Sequence, residues 1–122
     1  DNVVCAAETE ALILPISTGQ LGILTGHAPL LTALDIGVMR LKTGSKWTSI
    51  VLMEGFAEVE KDTVTVLCNG AEEADSIDAT TAQADLEKTI LLVEEAATKK
   101  EKIEATIELS KCKARIQSLA KS

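Results

Sequence analysis

The stretch Phe56-Ala-Glu-Val-Glu-Lys-Asp-Thr-Val-Thr-Val-Leu-Cys68 carries the period-two pattern of a β-hairpin. On its first arm Glu58 and Glu60 follow Phe56 at alternate positions, and Lys61-Asp62 supplies the reversal. On the return arm Val64, Val66 and Cys68 share one face while Thr63 and Thr65 share the other. Successive side chains of a strand point to opposite sides of the sheet, so one side of this hairpin is core and the other is wet. Two residues further on the chain changes character. All 7 Gly and both Pro lie at or before Gly70, and the 52 residues from Ala71 to Ser122 contain none.

Working toward the N-terminus, short runs rich in Val, Ile, Leu and Thr alternate with turn residues. The pattern predicts strands near Val3–Ala7, Glu10–Pro15, Leu21–Leu24, Leu30–Leu34, Gly37–Lys42, Trp47–Met53, Phe56–Lys61 and Thr63–Cys68. Lys42-Thr-Gly-Ser-Lys46 joins two of them through a Gly-containing loop of hairpin length. One-sided alternation without intervening helical pattern favours a sandwich or flattened barrel over a parallel α/β sheet.

Working toward the C-terminus, the period becomes helical. Ser76-Ile-Asp78 offers capping side chains, and Asp75 and Asp78 stand where a helix N-terminus favours negative charge. Ala79, Ala82, Leu86, Ile90, Val93 and Ala97 form one stripe; Ala105, Leu109, Cys112, Ile116 and Leu119 form a second. One unbroken helix would leave both seams without a partner, whereas a break near Ala97–Glu101 folds them together as an antiparallel hairpin. The break holds Thr98 and charges without Gly or Pro, so a weakly specified turn is expected, with hairpin and extended forms close in energy. The fold class is therefore α+β: an N-terminal all-β sandwich, residues 1–77, followed by a C-terminal antiparallel two-helix hairpin, residues 78–122.

Composition narrows the function. The 122 residues hold 12 Lys and Arg against 19 Asp and Glu, a net charge of −7. That charge opposes nucleic-acid phosphates, and two aromatics, Trp47 and Phe56, make no stacking platform for single strands. Apolar runs such as Ile50–Met53 and Ile90–Val93 fall far short of the about 20 residues a spanning helix needs. The start, Asp1-Asn-Val-Val4, has neither initiator Met nor the flanks of a secretory signal, so a processed or truncated start is expected. Cys5, Cys68 and Cys112 form no Cys-x-x-Cys pair and read as three reduced, packed thiols rather than a disulfide framework or metal site.

Charge is uneven along the helical part. Ala71 to Ile107 carries 10 acidic and 4 basic residues, whereas from Lys111 onward Lys111, Lys113, Arg115 and Lys121 meet no acid. This basic end is either cations lying favourably near a helix C-terminus or a contact for an acidic partner. His27, the single histidine, has no acid within seven residues, and no nucleophile elbow, P-loop or Gly-x-Gly-x-x-Gly is present. No catalysis, cofactor or metal is expected, and His27-Ala-Pro29 reads as a turn.

The run Ser17-Thr-Gly-Gln-Leu-Gly-Ile-Leu-Thr-Gly-His-Ala-Pro-Leu-Leu-Thr-Ala-Leu-Asp-Ile-Gly-Val-Met-Arg40 closely resembles the ε subunit of F-type ATP synthases. The resemblance continues through Leu52-Met-Glu-Gly-Phe-Ala-Glu-Val-Glu60, Val64-Thr-Val-Leu-Cys-Asn-Gly-Ala-Glu72, Ile77-Asp78 and Ile103-Glu-Ala105, covering essentially the whole chain. Ala33-Leu-Asp-Ile-Gly-Val-Met-Arg40 is most like the plastid and cyanobacterial branch. The resemblance implies a sandwich followed by a two-helix hairpin, and a non-catalytic rotor subunit of the central stalk. It implies partners in the γ subunit and the c ring, transient contact with the catalytic β subunit, and a peripheral place on the stromal side of the chloroplast thylakoid membrane or on its cyanobacterial counterpart. It further implies that the sandwich couples proton-driven rotation to ATP synthesis while the helices swing up along γ and impede hydrolysis.

Matched residue by residue, the resemblance places Thr18, Gly19 and Gln20, with Gly26, His27 and Ala28, at the end facing the c ring. It places Lys111, Lys113 and Arg115 on the inhibitory helix. Two departures accompany it. The family has further residues before Asp1, including a first strand. Members that bind ATP on these helices carry an Ile/Leu-Asp-x-x-Arg-Ala pattern, whereas Lys100-Glu-Lys-Ile-Glu-Ala105 lacks both the Asp and the Arg, so nucleotide sensing is not expected. The alternatives are a mitochondrial-type structural rotor subunit without an inhibitory role, and a free-standing ligand-binding β-sandwich.

Overall fold

The computed structural model describes residues 3–8, 11–24, 29–60 and 63–120. Seven strands come first: β1 Val3–Glu8, β2 Ala11–Ile16, β3 Gly19–Leu24, β4 Leu30–Thr43, β5 Lys46–Glu60, β6 Thr63–Cys68 and β7 Ala71–Glu73. A 3₁₀ turn, Ala74–Ser76, leads to α1, Ala79–Glu95, and α2, Lys99–Ala120. The strands hydrogen-bond in the order β1-β6-β5-β4-β2-β3, every ladder among the described residues antiparallel, with β7 added to β5. The α+β class with a two-helix C-terminal hairpin is as expected.

The two long strands depart from the expectation. Leu30–Leu34 and Gly37–Lys42 are one strand, β4, and Trp47–Met53 with Phe56 onward are likewise one strand, β5. The predicted breaks are changes of face rather than chain reversals. Leu34 and Met39 both enter the main core although they are an odd number of positions apart, while Ile36 and Val38 face the other way. Leu52 and Ala57 show the same switch on β5. A strict period of two forbids this, so both strands turn over between these points. The ladder skips Asp35 opposite Glu54 there, and Glu54 has φ +84°. Gly55 follows, packed so tightly on β6 that a Cβ would meet the Leu67 carbonyl oxygen and lie 2.7 Å from Cys68 Cα. Only glycine fits this corner.

The corner folds the sheet over a core of Leu12, Leu14, Ile23, Leu34, Met39, Leu52, Ala57, Val59, Val64, Val66 and Cys68. Val64, Val66 and Cys68 are buried as their alternation required. A second, smaller cluster lies on the outer face of the sheet, where Val38, Val51 and Met53 receive Ala114 of α2, flanked by Ile36 and Ile77. Val51, Leu52 and Met53 are therefore all buried, between two different layers, which explains the unbroken apolar run.

Asp78 caps α1 by accepting from the Thr81 backbone N–H at 2.9 Å and from the Thr81 hydroxyl at 2.8 Å, which holds its carboxyl below the usual range. The buried seam of α1 differs from the expected one. Ala82 and Thr89 are buried, with Leu86, Val93 and Ala96 half-buried, whereas Ile90 and Ala97 are exposed. Thr89 is accommodated because its hydroxyl donates to the Asp85 carbonyl at 2.7 Å and meets Cys112 Sγ of α2 at 3.5 Å. The α2 stripe of Ala105, Leu109, Cys112, Ile116 and Leu119 is buried or half-buried as expected.

The helix–helix turn is better specified than expected. Thr98 and Glu101 form a capping box: the Thr98 N–H donates to Glu101 Oε1, and the Glu101 N–H donates to Thr98 Oγ1, both at 3.1 Å. Among the described residues no helix is long and apolar enough to cross a membrane. Cys68 and Cys112 are both buried.

Candidate partner-contact surfaces

Three surfaces are candidates for partner contact. The first is the β2–β3 turn. β2 and β3 pair from Ala11–Leu24 to Ile16–Gly19, so Ser17-Thr18 is a tight reversal, and Gly19 at φ +133° takes a conformation closed to other residues. Thr18, Gly19 and Gln20 are all exposed at its tip. Gly26, His27 and Ala28 lie outside the described residues.

The second surface follows from the corner. Beyond it, the outward face of β4, β5 and β6 aligns Ala33, Phe56 and Leu67 across three strands, with Leu31 two residues along β4. Leu31 is 70% exposed, Phe56 56% and Leu67 42%. Contiguous apolar exposure of this kind marks interaction sites. Glu58, paired opposite Leu31, and Glu60 give the patch an acidic rim, and a hollow of about 410 Å³ opens beside Phe56 between Glu54, Gly55 and Asn69. Sequence reasoning missed this patch because strict alternation without the corner does not show which layer Phe56 covers.

The third surface is the basic segment of α2. Lys113 is exposed, and Lys111 Nζ lies 3.9 Å from Glu108 Oε2. Arg115 is engaged. Its Nε donates to Glu72 Oε1 at 2.8 Å and its second terminal nitrogen to Glu72 Oε2 at 2.9 Å, a two-pronged pair between α2 and β7. Glu108 Oε1 lies 3.9 Å from the remaining nitrogen. These hydrogen bonds hold the Glu72 carboxyl below its ordinary range, against a smaller upward push from partial burial, and Arg115 is correspondingly raised. The three cations read together from sequence are thus unlike one another. Glu72 was missed because β7 is only three residues long and shows no period; the visible signal was an acid just past the last glycine.

Arg40 stacks on Trp47 at 5.0 Å near the β4–β5 tip, and its Nε has no hydrogen-bond partner among the described residues.

A family model described as "ATP synthase, Delta/Epsilon chain, beta-sandwich domain" matches residues 1–74. Over 120 residues the chain is 75% identical to the chloroplastic ATP synthase epsilon chain of Emiliania huxleyi, spanning 98% of this chain and 92% of that relative. Over 121 residues it is 52% identical to the ATP synthase epsilon chain of Prochlorococcus marinus strain MIT 9303, spanning 97% and 91%. Among solved structures, a chain of the Euglena gracilis mitochondrial ATP synthase OSCP/F1/c-ring assembly superposes with TM-score 0.79 at 22% identity, over 93% of this chain and 71% of that one. A chain of the Tetrahymena thermophila mitochondrial ATP synthase central stalk and c ring gives 0.62 at 11%, over 92% and 83%. These two speak for the fold alone. With a family model matching more than half of the chain, and relatives above half identical along nearly its whole length, the chain belongs to the ATP synthase epsilon-chain family.

Proposed function

We propose that the chain is a non-catalytic rotor subunit of a plastid-type ATP synthase, on the stromal side of the thylakoid membrane, that joins γ to the c ring and brakes ATP hydrolysis. Residues 1–77 are the anchor and residues 78–122 the brake. Thr18, Gly19 and Gln20, with Gly26, His27 and Ala28, face the ring. The patch of Leu31, Ala33, Phe56 and Leu67, apolar with an acidic rim, accepts γ and calls for an apolar surface with basic flanks on that partner. Lys111, Lys113 and Arg115 meet an acidic segment of the catalytic β subunit. The chloroplastic names of the relatives support the location.

The observation that carries this reading is the division of labour in the fold: an apolar patch left open on the sheet, and a basic helix seated on the opposite layer through one small cluster and one ion pair. Adding the chain back to an epsilon-depleted plastid-type enzyme tests it. The variant Lys111→Ala/Lys113→Ala/Arg115→Ala is expected to bind as the parent chain does and to inhibit hydrolysis several-fold less; unchanged inhibition refutes the role of this segment. The engagement of Arg115 favours a second reading, a structural rotor subunit without a brake, for which neither chain inhibits.

A further inference from the structure

The seat of α2 on the sheet is narrow. Its apolar part is the Ala114 methyl against Val38, Val51 and Met53, with Ile36 and Ile77 at the margins. One residue along, Arg115 reaches across 43 positions of sequence to grip both carboxylate oxygens of Glu72. The acceptor is fixed in place: Glu72 is the middle residue of β7, paired with Val51, and the approach to β7 is tied by Met53 N–H to the Gly70 carbonyl and Asn69 N–H to the Glu54 carbonyl, both 3.0 Å. With Nε and one terminal nitrogen donating in parallel to Glu72, the side-on fork of Arg115 is committed, and its remaining terminal nitrogen lies 3.9 Å from Glu108 Oε1.

We infer that Glu72 is an internal competitor for the carboxylates of an acidic partner, so that Arg115 either latches α2 to β7 or binds the partner, and the pair sets how readily α2 leaves the sheet. Resting on the proposed contact between this segment and an acidic surface, the inference adds the residue that regulates it. It also separates the three cations. Lys113, exposed and without an ion pair among the described residues, is open to a partner while α2 is seated; Arg115 becomes open only when Glu72 lets go. Removing Glu72 therefore strengthens partner binding, whereas removing Arg115 weakens both states. A ligand shifts such an equilibrium only through its differential contacts with the two states, and here one side chain supplies that difference.

Glu72→Gln in the 122-residue chain tests this, with backbone amide exchange of the free protein and inhibition of the epsilon-depleted enzyme as two separate readouts. Exchange is expected to rise about tenfold in the turn around Ala114–Ser118, as expected for loss of a two-pronged charged hydrogen bond, while β5 and β6 stay protected. The inhibitory concentration is expected to fall several-fold, and the exchanged pair Glu72→Arg/Arg115→Glu is expected to restore slow exchange. Unchanged exchange around Ala114 overturns the latch. Faster exchange with inhibitory strength equal to that of the parent chain overturns the competition. If neither chain inhibits, faster exchange still upholds the latch, and it is the braking role that falls.

Discussion

Val51 sits on the outer face of the sheet and is nonetheless fully buried, because α2 covers it. Replacing it by Ala removes two methylene equivalents, about 1.6 kcal/mol at about 0.8 kcal/mol each. If about 40 Å³ of the vacated space stays empty under a helix fixed elsewhere by the Glu72–Arg115 pair, about 1 kcal/mol more is lost. The total is about 2.5 kcal/mol. Val66, at 2% exposure in the main core, supplies the comparison: Val66→Ala is expected to cost the same within about 1 kcal/mol. On a solvent-facing sheet the same change costs at most about 1 kcal/mol. Urea unfolding followed by circular dichroism reads the difference, and the melting temperature of Val51→Ala is expected to fall by about 10 °C. A Val51→Ala variant within about 0.5 kcal/mol of the parent refutes the seating of α2 on β5.

Three further outcomes follow from the same contacts. Glu72 titrates below its ordinary value because Arg115 favours the carboxylate, so its contribution is present above the unfolded value of 4.5 and lost as pH falls through the folded one. The stability gap between the parent chain and Glu72→Gln, about 1 kcal/mol at neutral pH for a partly buried pair, is expected to close in acid; a gap constant from pH 7 to 3 contradicts the pairing. Gly55→Ala places a methyl group against the backbone of β6, and an unfolding free energy lowered by more than about 3 kcal/mol is expected; a neutral effect denies the close approach at the corner. Phe56→Asp changes an exposed side chain, so it is expected to leave melting nearly unchanged and to abolish binding to the epsilon-depleted enzyme; undiminished binding removes the patch from the docking surface.

The Thr63–Cys68 strand was legible because its face alternates without interruption and its burial is one-sided. The α2 seam was legible for the equivalent helical reason. The corner was not. A break in alternation marks either a loop or a change of layer, and Asp35 and Glu54 fit both until the partner ladder is known. The choice of Thr89 over Ile90 for the buried seam was hidden for another reason: Thr89 is admitted by a hydrogen bond to its own helix and a contact with Cys112, neither visible in an apolar stripe. The capping role of Thr98 and Glu101 was legible in principle from their spacing of three. At the basic segment, residue type identified the cations, but only the packing of α2 on β7 distinguishes Arg115 from Lys113.

The most direct test of the rotor-and-brake account is to return the chain to an epsilon-depleted plastid-type ATP synthase in sealed vesicles and to measure ATP hydrolysis and proton pumping together. The account predicts that hydrolysis falls while the protons moved for each ATP consumed rise, since the chain both restrains the catalytic core and tightens its link to the ring. Binding that leaves both quantities unchanged, or no binding at all, contradicts it.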